Sequence, residues 1–165
     1  MIPPSALGDL RVLDISQGIA GPLCARLLGD FGADVIKIEP PGGERGRRMP
    51  PFFQDDPDPE KSLFFLMTNL NKRGVVLDLE RPEGAALFRE LARTADGIVE
   101  SFQPGYLASL GLDHATLEAE NPGLVMTSSP HSGRPAHTAT TKAARSSPTR
   151  RAGSWRSAAP RTGSH

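Results

Sequence analysis

Five short runs of aliphatic and β-branched residues recur along the first 130 positions, and turns or segments with helical periodicity separate them. Runs of this length and composition are typical of buried strands. They lie at residues 10–15, 34–38, 74–79, 97–102 and 124–128. Strands that alternate with helices favour a parallel sheet with helices packed on its faces. The pattern therefore predicts an α/β, Rossmann-like fold.

The first predicted helix follows residue 19, with Pro22 in its first turn and Gly32 at its end. Both residues suit these positions, since proline lacks an amide hydrogen and glycine adopts a left-handed conformation without strain. The helix carries an apolar stripe at the i, i+3, i+4 and i+7 spacing, formed by Cys24, Leu27, Leu28 and Phe31. We expect this stripe to be buried, with Cys24 as a structural thiol.

The remaining segments divide into helices and one long connection. Further helices are predicted at residues 82–94, 105–110 and 114–120. Asp113 is the expected N-cap of the last of these helices. Residues 40–60 are rich in proline, glycine and charge, which predicts a loop, and the apolar residues 62–69 are expected to be buried.

The composition changes abruptly near residue 130. Residues 1–130 carry 12 Lys/Arg and 19 Asp/Glu, a net charge of −7, whereas residues 131–165 carry 7 Lys/Arg and no acidic residue. The second segment also contains no Leu, Ile, Val, Met or Phe, so it buries too little apolar surface to offset the entropy of ordering. We therefore expect one folded domain at residues 1–130 and a disordered basic tail at residues 131–165. A binding module whose tail engages nucleic acid is an alternative, although our preferred interpretation includes no nucleic-acid partner.

Several other classes of protein are disfavoured. The N-terminal residues 1–5, MIPPS, resemble no signal peptide, and no run approaches the roughly 18 apolar residues of a membrane span. Cys24 is the only cysteine and the four histidines form no spaced ligand set, so we expect no disulfide and no metal site. These features favour a cytoplasmic protein without a membrane partner.

The turn between the first strand and the first helix is the best candidate for ligand binding. It reads Gly18-Ile19-Ala20-Gly21 and opens a helix, where free amide groups favour phosphate or another polar ligand. Glu39 ends the second strand about 20 residues later, where dinucleotide-binding folds place a ribose-binding acid. A nicotinamide-dependent oxidoreductase is therefore a second alternative, although the turn lacks the G-x-G-x-x-G pattern and Pro22 removes an amide donor.

Ordered sequence blocks carry a more specific resemblance. They read VLDISQGIAGPLCARLLGDFGADVIKIEPPGG from residue 12, NLNKRGVVLDL from residue 69, ADGIVESFQPG from residue 95 and NPGLV from residue 121. In order and spacing these blocks resemble the N-terminal part of the family III CoA-transferases, the group that contains formyl-CoA and carnitine CoA-transferases. The resemblance covers nearly all of residues 7–130.

This resemblance implies an enzyme that moves CoA from an acyl-CoA to a carboxylic acid through an enzyme-carboxylate anhydride and thioester. It places the CoA contacts at Ile19, Ala20, Asn71, Lys72, Arg73, Ser101, Phe102 and Gln103. We expect these three segments to form one pocket, with Lys72 and Arg73 at the phosphates and Phe102 as an apolar wall. Further anion-binding candidates are Arg45, Arg47 and Arg48. Ser101 stands where asparagine is usual, and Pro40 and Ser109 replace arginines of some members, which weakens the expected phosphate contacts.

The resemblance also has consequences for the residues beyond position 130. The family nucleophile is an aspartate in that region, so no catalytic residue is assigned in this chain. Back-translated with GC-rich codons and read in another frame, the tail yields a string that resembles the family continuation. We therefore expect a reading-frame shift near residue 130 and an inactive, truncated chain. Members form intertwined homodimers, which we do not expect of this fragment.

Overall fold

The computed structural model describes residues 5–129, so the tail predicted at residues 131–165 lies outside the described residues. The strands are β1 (Arg11–Asp14), β2 (Asp34–Glu39), β3 (Lys72–Val76), β4 (Gly97–Glu100) and β5 (Val125–Ser128). The helices are α1 (Ala20–Asp30), α2 (Leu63–Asn69), α3 (Pro82–Arg93), α4 (Tyr106–Ser109) and α5 (His114–Glu120). Three short 3₁₀ turns, Arg45–Arg48, Phe53–Asp55 and Pro59–Lys61, lie in the connection between β2 and α2.

The five strands form one parallel sheet in the order β3-β2-β1-β4-β5. At its centre Leu13 of β1 is opposite Ile36 of β2 and Ile98 of β4. The chain runs outward from β1 to β3 on one side and from β4 to β5 on the other. The predicted α/β, Rossmann-like fold is confirmed, and the strand order reverses between β1 and β4, where open α/β sheets bind ligands.

Helices cover both faces of the sheet. On one face α3, α4 and α5 contribute Phe88, Leu107 and Leu117 to a core that includes Leu13 and Ile98. On the other face α1 packs against Val12, Val35 and Val99. The approach of α1 is close, because a Cβ atom at Gly21 would overlap the Ser16 side chain. The core therefore positions the start of α1 directly beside the end of β1.

The predicted burial of the apolar stripe of α1 is wrong for three of its four residues, since only Leu28 is partly buried and packs against the core. Leu27 is 50% exposed, Phe31 is 59% exposed and Cys24 is also exposed. The helix instead buries the small residues Gly21, Pro22 and Ala25 against the sheet. Small side chains allow the close helix–sheet approach, which apolar spacing alone did not indicate.

Residues 62–69 and the third strand also differ from the prediction. Ser62 caps α2 by accepting a hydrogen bond from the Phe65 amide at 3.1 Å, yet Leu63, Leu66 and Met67 are exposed. With Leu27 and Phe31 of α1 they leave apolar side chains uncovered on this side of the described domain. Strand β3 begins at Lys72 and ends at Val76, earlier than the predicted residues 74–79.

The predicted N-cap of α5 is correct in position but differs in chemistry. Asp113 precedes the helix, and its carboxylate accepts a hydrogen bond from the Thr116 hydroxyl rather than from a backbone amide.

Candidate functional site

The carboxyl ends of four strands open into a cleft of about 320 Å³. Its lining comes from the last residues of β2 and from the segments that follow β1, β2, β3 and β4, and includes Ile15, Gln17, Glu39, Pro40, Leu77, Asp78, Leu79, Glu80, Phe102 and Tyr106. Parallel strands bring their carboxyl ends to a single edge, and the cleft includes the point where the strand order reverses. This cleft is the candidate ligand site.

Two of the three predicted segments meet at this edge. Ile19 and Ala20 lie at the exposed start of α1, and Ser101, Phe102 and Gln103 follow β4. The Ser101 hydroxyl accepts a hydrogen bond from the Gln17 amide at 2.7 Å and lies 3.3 Å from the Gln17 carbonyl oxygen. The structure therefore joins the turn after β1 to the segment after β4.

The third predicted segment lies mainly at the opposite edge of the sheet. Asn71 donates a hydrogen bond to Asp30 at 2.6 Å, and Arg73 is 2.6 Å from the Asp34 carboxylate. Asp30 ends α1 and Asp34 begins β2, so both partners lie at the amino-terminal edge of the sheet. The expectation that all three segments form one pocket is therefore wrong for Asn71 and Arg73.

Lys72 points into the interior beneath the turn. Its side chain is 1% exposed, and its ammonium group donates hydrogen bonds to Asp14 at 2.7 Å, Asn69 at 2.7 Å and the Pro22 carbonyl at 2.8 Å. Burial lowers the pKa of Lys72, and the negative charge of Asp14 opposes that shift. All three donors are used within the protein, so the structure gives Lys72 a structural role rather than a phosphate contact.

The segment after β3 belongs to the cleft, and sequence analysis missed it. Residues 77–80 were placed within or just after a strand, but Leu77, Asp78, Leu79 and Glu80 line the cleft. The signal that could have found them is topological, since the carboxyl end of every parallel strand reaches this edge.

An aromatic pair forms one side of the cleft. The rings of Phe102 and Tyr106 stack with centroids 4.7 Å apart, and the Tyr106 hydroxyl donates a hydrogen bond to Glu80 at 3.1 Å. Burial and the neighbouring Glu80 carboxylate raise the pKa of Tyr106. The pair offers a flat, largely apolar surface to a ligand.

Buried charges lie beneath the turn that borders the cleft. Lys37 is 2.6 Å from Glu44 and 3.5 Å from Asp14, and it also donates a hydrogen bond to the Ser16 carbonyl. Glu44 in turn accepts a hydrogen bond from the Gly18 amide at 3.1 Å. Buried charges are tolerated when each has a partner, and here the partners connect β1, β2, β3 and the loop after β2.

The arginines of the 40–60 loop were candidates for anion binding. Arg47 instead makes two hydrogen bonds to Glu39, at 2.7 and 2.8 Å, contacts Glu60 at 2.9 Å and stacks on Phe65. Arg48 donates a hydrogen bond to the Gly42 carbonyl. Glu39, the alternative ribose-binding acid, therefore has its carboxylate occupied by Arg47 and by the Glu44 amide.

This pairing predicts a component of acid sensitivity. Burial raises the pKa of Glu39, but hydrogen bonds from Arg47 and the Glu44 amide lower it by more, so that the pKa lies below its ordinary value of 4.5. A depressed pKa stabilises the fold above the unfolded-state value, and that stabilisation is lost as the pH falls through the folded-state pKa. We expect the free energy of unfolding to decrease as the pH is lowered below 4.5. A Glu39→Gln variant should lack the part of this decrease that comes from Glu39. Urea unfolding of both proteins between neutral and acidic pH measures it, and parallel pH profiles would contradict it.

The described residues present neither a metal-ligand cluster nor a membrane-spanning helix. Within residues 5–129 no group of three or more His, Cys, Asp or Glu side chains is arranged to hold a metal ion. Among the helices of the same residues, none combines the length and the apolar character of a membrane-crossing segment.

Comparison with known proteins identifies the family. The model for CoA-transferase family III matches residues 7–164, a range that extends into the basic tail. The chain is 42% identical over 123 residues to the succinyl-CoA:mesaconate CoA-transferase of Haloarcula hispanica and 43% identical over 126 residues to the succinate–glutarate CoA-transferase of Agrobacterium fabrum. Each match covers 74% of this chain and 31% of the relative, so the chain spans about a third of the length of these proteins.

A solved structure supports the same assignment. The hypothetical protein Rv3272 of Mycobacterium tuberculosis superposes with a TM-score of 0.70 at 38% identity, over 79% of this chain and 35% of that one. The resemblance carried by the ordered sequence blocks is thus confirmed. The chain belongs to CoA-transferase family III.

Proposed function

We propose that the cleft at the carboxyl ends of β1–β4 binds the CoA part of an acyl-CoA, and that this domain is the CoA-binding part of a CoA-transferase. The observation that carries the proposal is the meeting of the α1 turn with the segment after β4 beside an aromatic wall. The names of the relatives supply the reaction class, and the cleft supplies a site for its shared substrate.

Three features suit the proposed ligand. Ile19 and Ala20 are exposed at the start of α1, and the free amides of a helix N-terminus favour a polar or anionic group. Phe102 and Tyr106 provide a surface for adenine or the pantetheine arm. Gln103, which is exposed beside them, offers amide hydrogen bonds. Asn71, Lys72 and Arg73 have no direct part in this revised site.

The proposed chemistry is transfer of CoA to a carboxylic acid. A carboxylate oxygen attacks the thioester carbonyl, the C–S bond breaks and the CoA thiolate leaves, which gives a mixed anhydride. The thiolate then attacks the enzyme-side carbonyl, which releases the first acid and forms an enzyme thioester. The acceptor carboxylate attacks that thioester and expels the thiolate, which then attacks the acceptor-side carbonyl to give the new acyl-CoA and the free enzyme carboxylate. The family resemblance puts the nucleophilic aspartate beyond residue 130, so we propose that residues 5–129 supply the CoA-binding surface and not the nucleophile.

The substrates follow from the relatives. Both curated relatives carry succinyl-CoA or succinate in their names, so succinyl-CoA is the first acyl-CoA to test. The family resemblance implies a homodimer for complete members, and our expectation that this fragment does not form it stays a prediction. The apolar side chains exposed on α1 and α2 are available to further segments or to a second copy.

Calorimetric titration of the full chain with CoA tests the binding step. We expect CoA to bind and to raise the melting temperature, because a ligand of the folded state stabilises it, and we expect NAD to do neither. Phe102→Leu keeps an apolar side chain in the core but removes the ring surface, so affinity should fall by about tenfold, or about 1.4 kcal/mol.

The matched control is Phe53→Leu, which alters an exposed phenylalanine outside the cleft. Equal losses of affinity in both variants, or the absence of CoA binding to the wild-type chain, would contradict the proposal.

A further inference from the structure

We propose that Glu44 is a positioning residue that fixes the turn after β1 beside the cleft, although it does not line the cleft itself. The inference rests on the proposed function, because CoA is the ligand whose affinity it should control. Glu44 is in the loop after β2, 26 residues from Gly18, and its carboxylate accepts a hydrogen bond from the Gly18 amide at 3.1 Å. Gly18 is buried, with a φ of 84°, and its neighbour Gln17 lines the cleft.

Three consecutive residues of this turn are each held by a different segment. The Ser16 carbonyl accepts a hydrogen bond from Lys37 of β2. The Gln17 backbone contacts the Ser101 hydroxyl after β4. The Gly18 amide contacts Glu44. A turn with a left-handed glycine has no sheet ladder to define its course, so these side-chain contacts determine where Gln17, Ile19 and the first amides of α1 lie.

Glu44 is itself buried and contacted from more than one side. It is 1% exposed, its second carboxylate oxygen is 2.6 Å from the Lys37 ammonium group, and its own amide donates to Glu39 at 2.9 Å. Gly46 leaves room for this arrangement, since a Cβ atom there would come within 2.5 Å of the Glu44 Oε1 atom. Burying a carboxylate contributes little net stability even when it is paired. Its directed contact with Gly18 therefore points to placement of the turn rather than to stability.

The consequence for binding follows from geometry. Ligand contacts made by backbone amides weaken when the backbone shifts, and displacements near 1 Å have large effects in preorganised sites. Loss of the Gly18 contact should release the turn more than it releases the strands, because Lys37 retains Asp14 and the Ser16 carbonyl as partners.

Two substitutions separate this role from a purely structural one. Glu44→Met and Glu44→Gln both remove the charge at similar volume, but only glutamine keeps an oxygen acceptor for the Gly18 amide. Hydrogen exchange of the Gly18 amide, measured by NMR on the full chain without ligand, reports the turn, and exchange of β1 and β2 amides reports global stability. We expect Glu44→Met to accelerate Gly18 exchange at least tenfold relative to the strand amides and to weaken CoA binding by about tenfold. Glu44→Gln should restore both values towards the wild type.

Glu60→Gln is the matched control, because it removes an exposed carboxylate from the same loop and should change neither value. Unaltered Gly18 exchange in Glu44→Met would overturn the inference, as would faster Gly18 exchange with unaltered CoA affinity. If Glu44→Met does not fold, Glu44→Met and Glu44→Gln are instead compared in a Lys37→Met background. That background leaves no unpaired ammonium group beside residue 44. If the wild-type chain binds no CoA, the proposed function fails, and Gly18 exchange alone decides whether Glu44 fixes the turn.

Discussion

Replacing Asp14 with asparagine is expected to destabilise the domain by about 3–5 kcal/mol, a large share of the stability of a typical domain. Asp14 is fully buried at the end of β1, where its carboxylate is 2.7 Å from the Lys72 ammonium group and 3.5 Å from that of Lys37. Asparagine has nearly the same shape but no charge. The substitution therefore leaves two buried lysines with Glu44 as their one remaining carboxylate partner among the contacts of residues 5–129.

Urea unfolding at neutral pH measures this loss, and Asp56→Asn is the control, because Asp56 pairs with Lys61 at the surface. Exposed pairs contribute between zero and about 1 kcal/mol, so the control should stay close to the wild type. Losses of similar size in the two variants would show that the buried cluster contributes no more to stability than an exposed ion pair.

The stability loss of Asp14→Asn should depend on pH in a defined direction. Burial already lowers the pKa of Lys72 below 10.5, and the Asp14 carboxylate opposes that shift. Removing Asp14 lowers the pKa further. Above the folded-state pKa the unfolded chain binds more protons, so stability rises with pH towards 10.5. The destabilisation of Asp14→Asn should consequently shrink at alkaline pH.

The sheet was predictable from sequence because its signals are local. Each strand is a short apolar run, and each connection carries its own turn or helix signals, so the alternation that produces a parallel sheet is visible without tertiary information. The orientation of α1 was not predictable in this way. Its sheet-facing side is formed by Gly21, Pro22 and Ala25, whose small size is the requirement, while a rule based on hydrophobic spacing selects the larger residues.

Only part of the candidate site was predicted from sequence, and the reason is related. A motif match gives the residues of a block but does not say which of them reach the carboxyl edge of the sheet. In the block at residues 69–79 the match drew attention to Asn71–Arg73, which lie at the start of β3. The residues of this block that reach the cleft are Leu77 and Asp78, which follow the carboxyl end of the strand. The structural role of Lys72 depends on Asp14, 58 positions away, and a contact of that range leaves no pattern in the sequence.

Replacing Gly84 with alanine should destabilise the domain by about 3 kcal/mol or more, which is at or above the usual cost of overpacking because the clash is with backbone. Gly84 is buried in the first turn of α3, and an added Cβ atom would lie 2.8 Å from the Asp78 carbonyl carbon and closer still to its oxygen. Neither segment can yield through a side-chain rotation, so α3 or the segment after β3 must move.

Gly74→Ala provides the control, since a Cβ atom at Gly74 in β3 meets nothing within 4 Å. Replacing an unstrained glycine restricts the unfolded chain, so this variant should equal or exceed the wild type in stability by up to about 1 kcal/mol. Thermal and urea unfolding of both variants measure the contrast, and equal stability of the two would contradict the close backbone approach.

The same clash should reach the ligand site. Asp78 and its neighbours line the cleft, and Glu80 contacts Tyr106 across it, so a displaced segment alters two sides of the cleft together. Gly84→Ala should therefore weaken CoA binding even at temperatures where the variant remains folded, while Gly74→Ala should not. A folded Gly84→Ala protein with wild-type CoA affinity would show that the segment after β3 contributes nothing to binding, and the site would then be confined to the segments after β1 and β4.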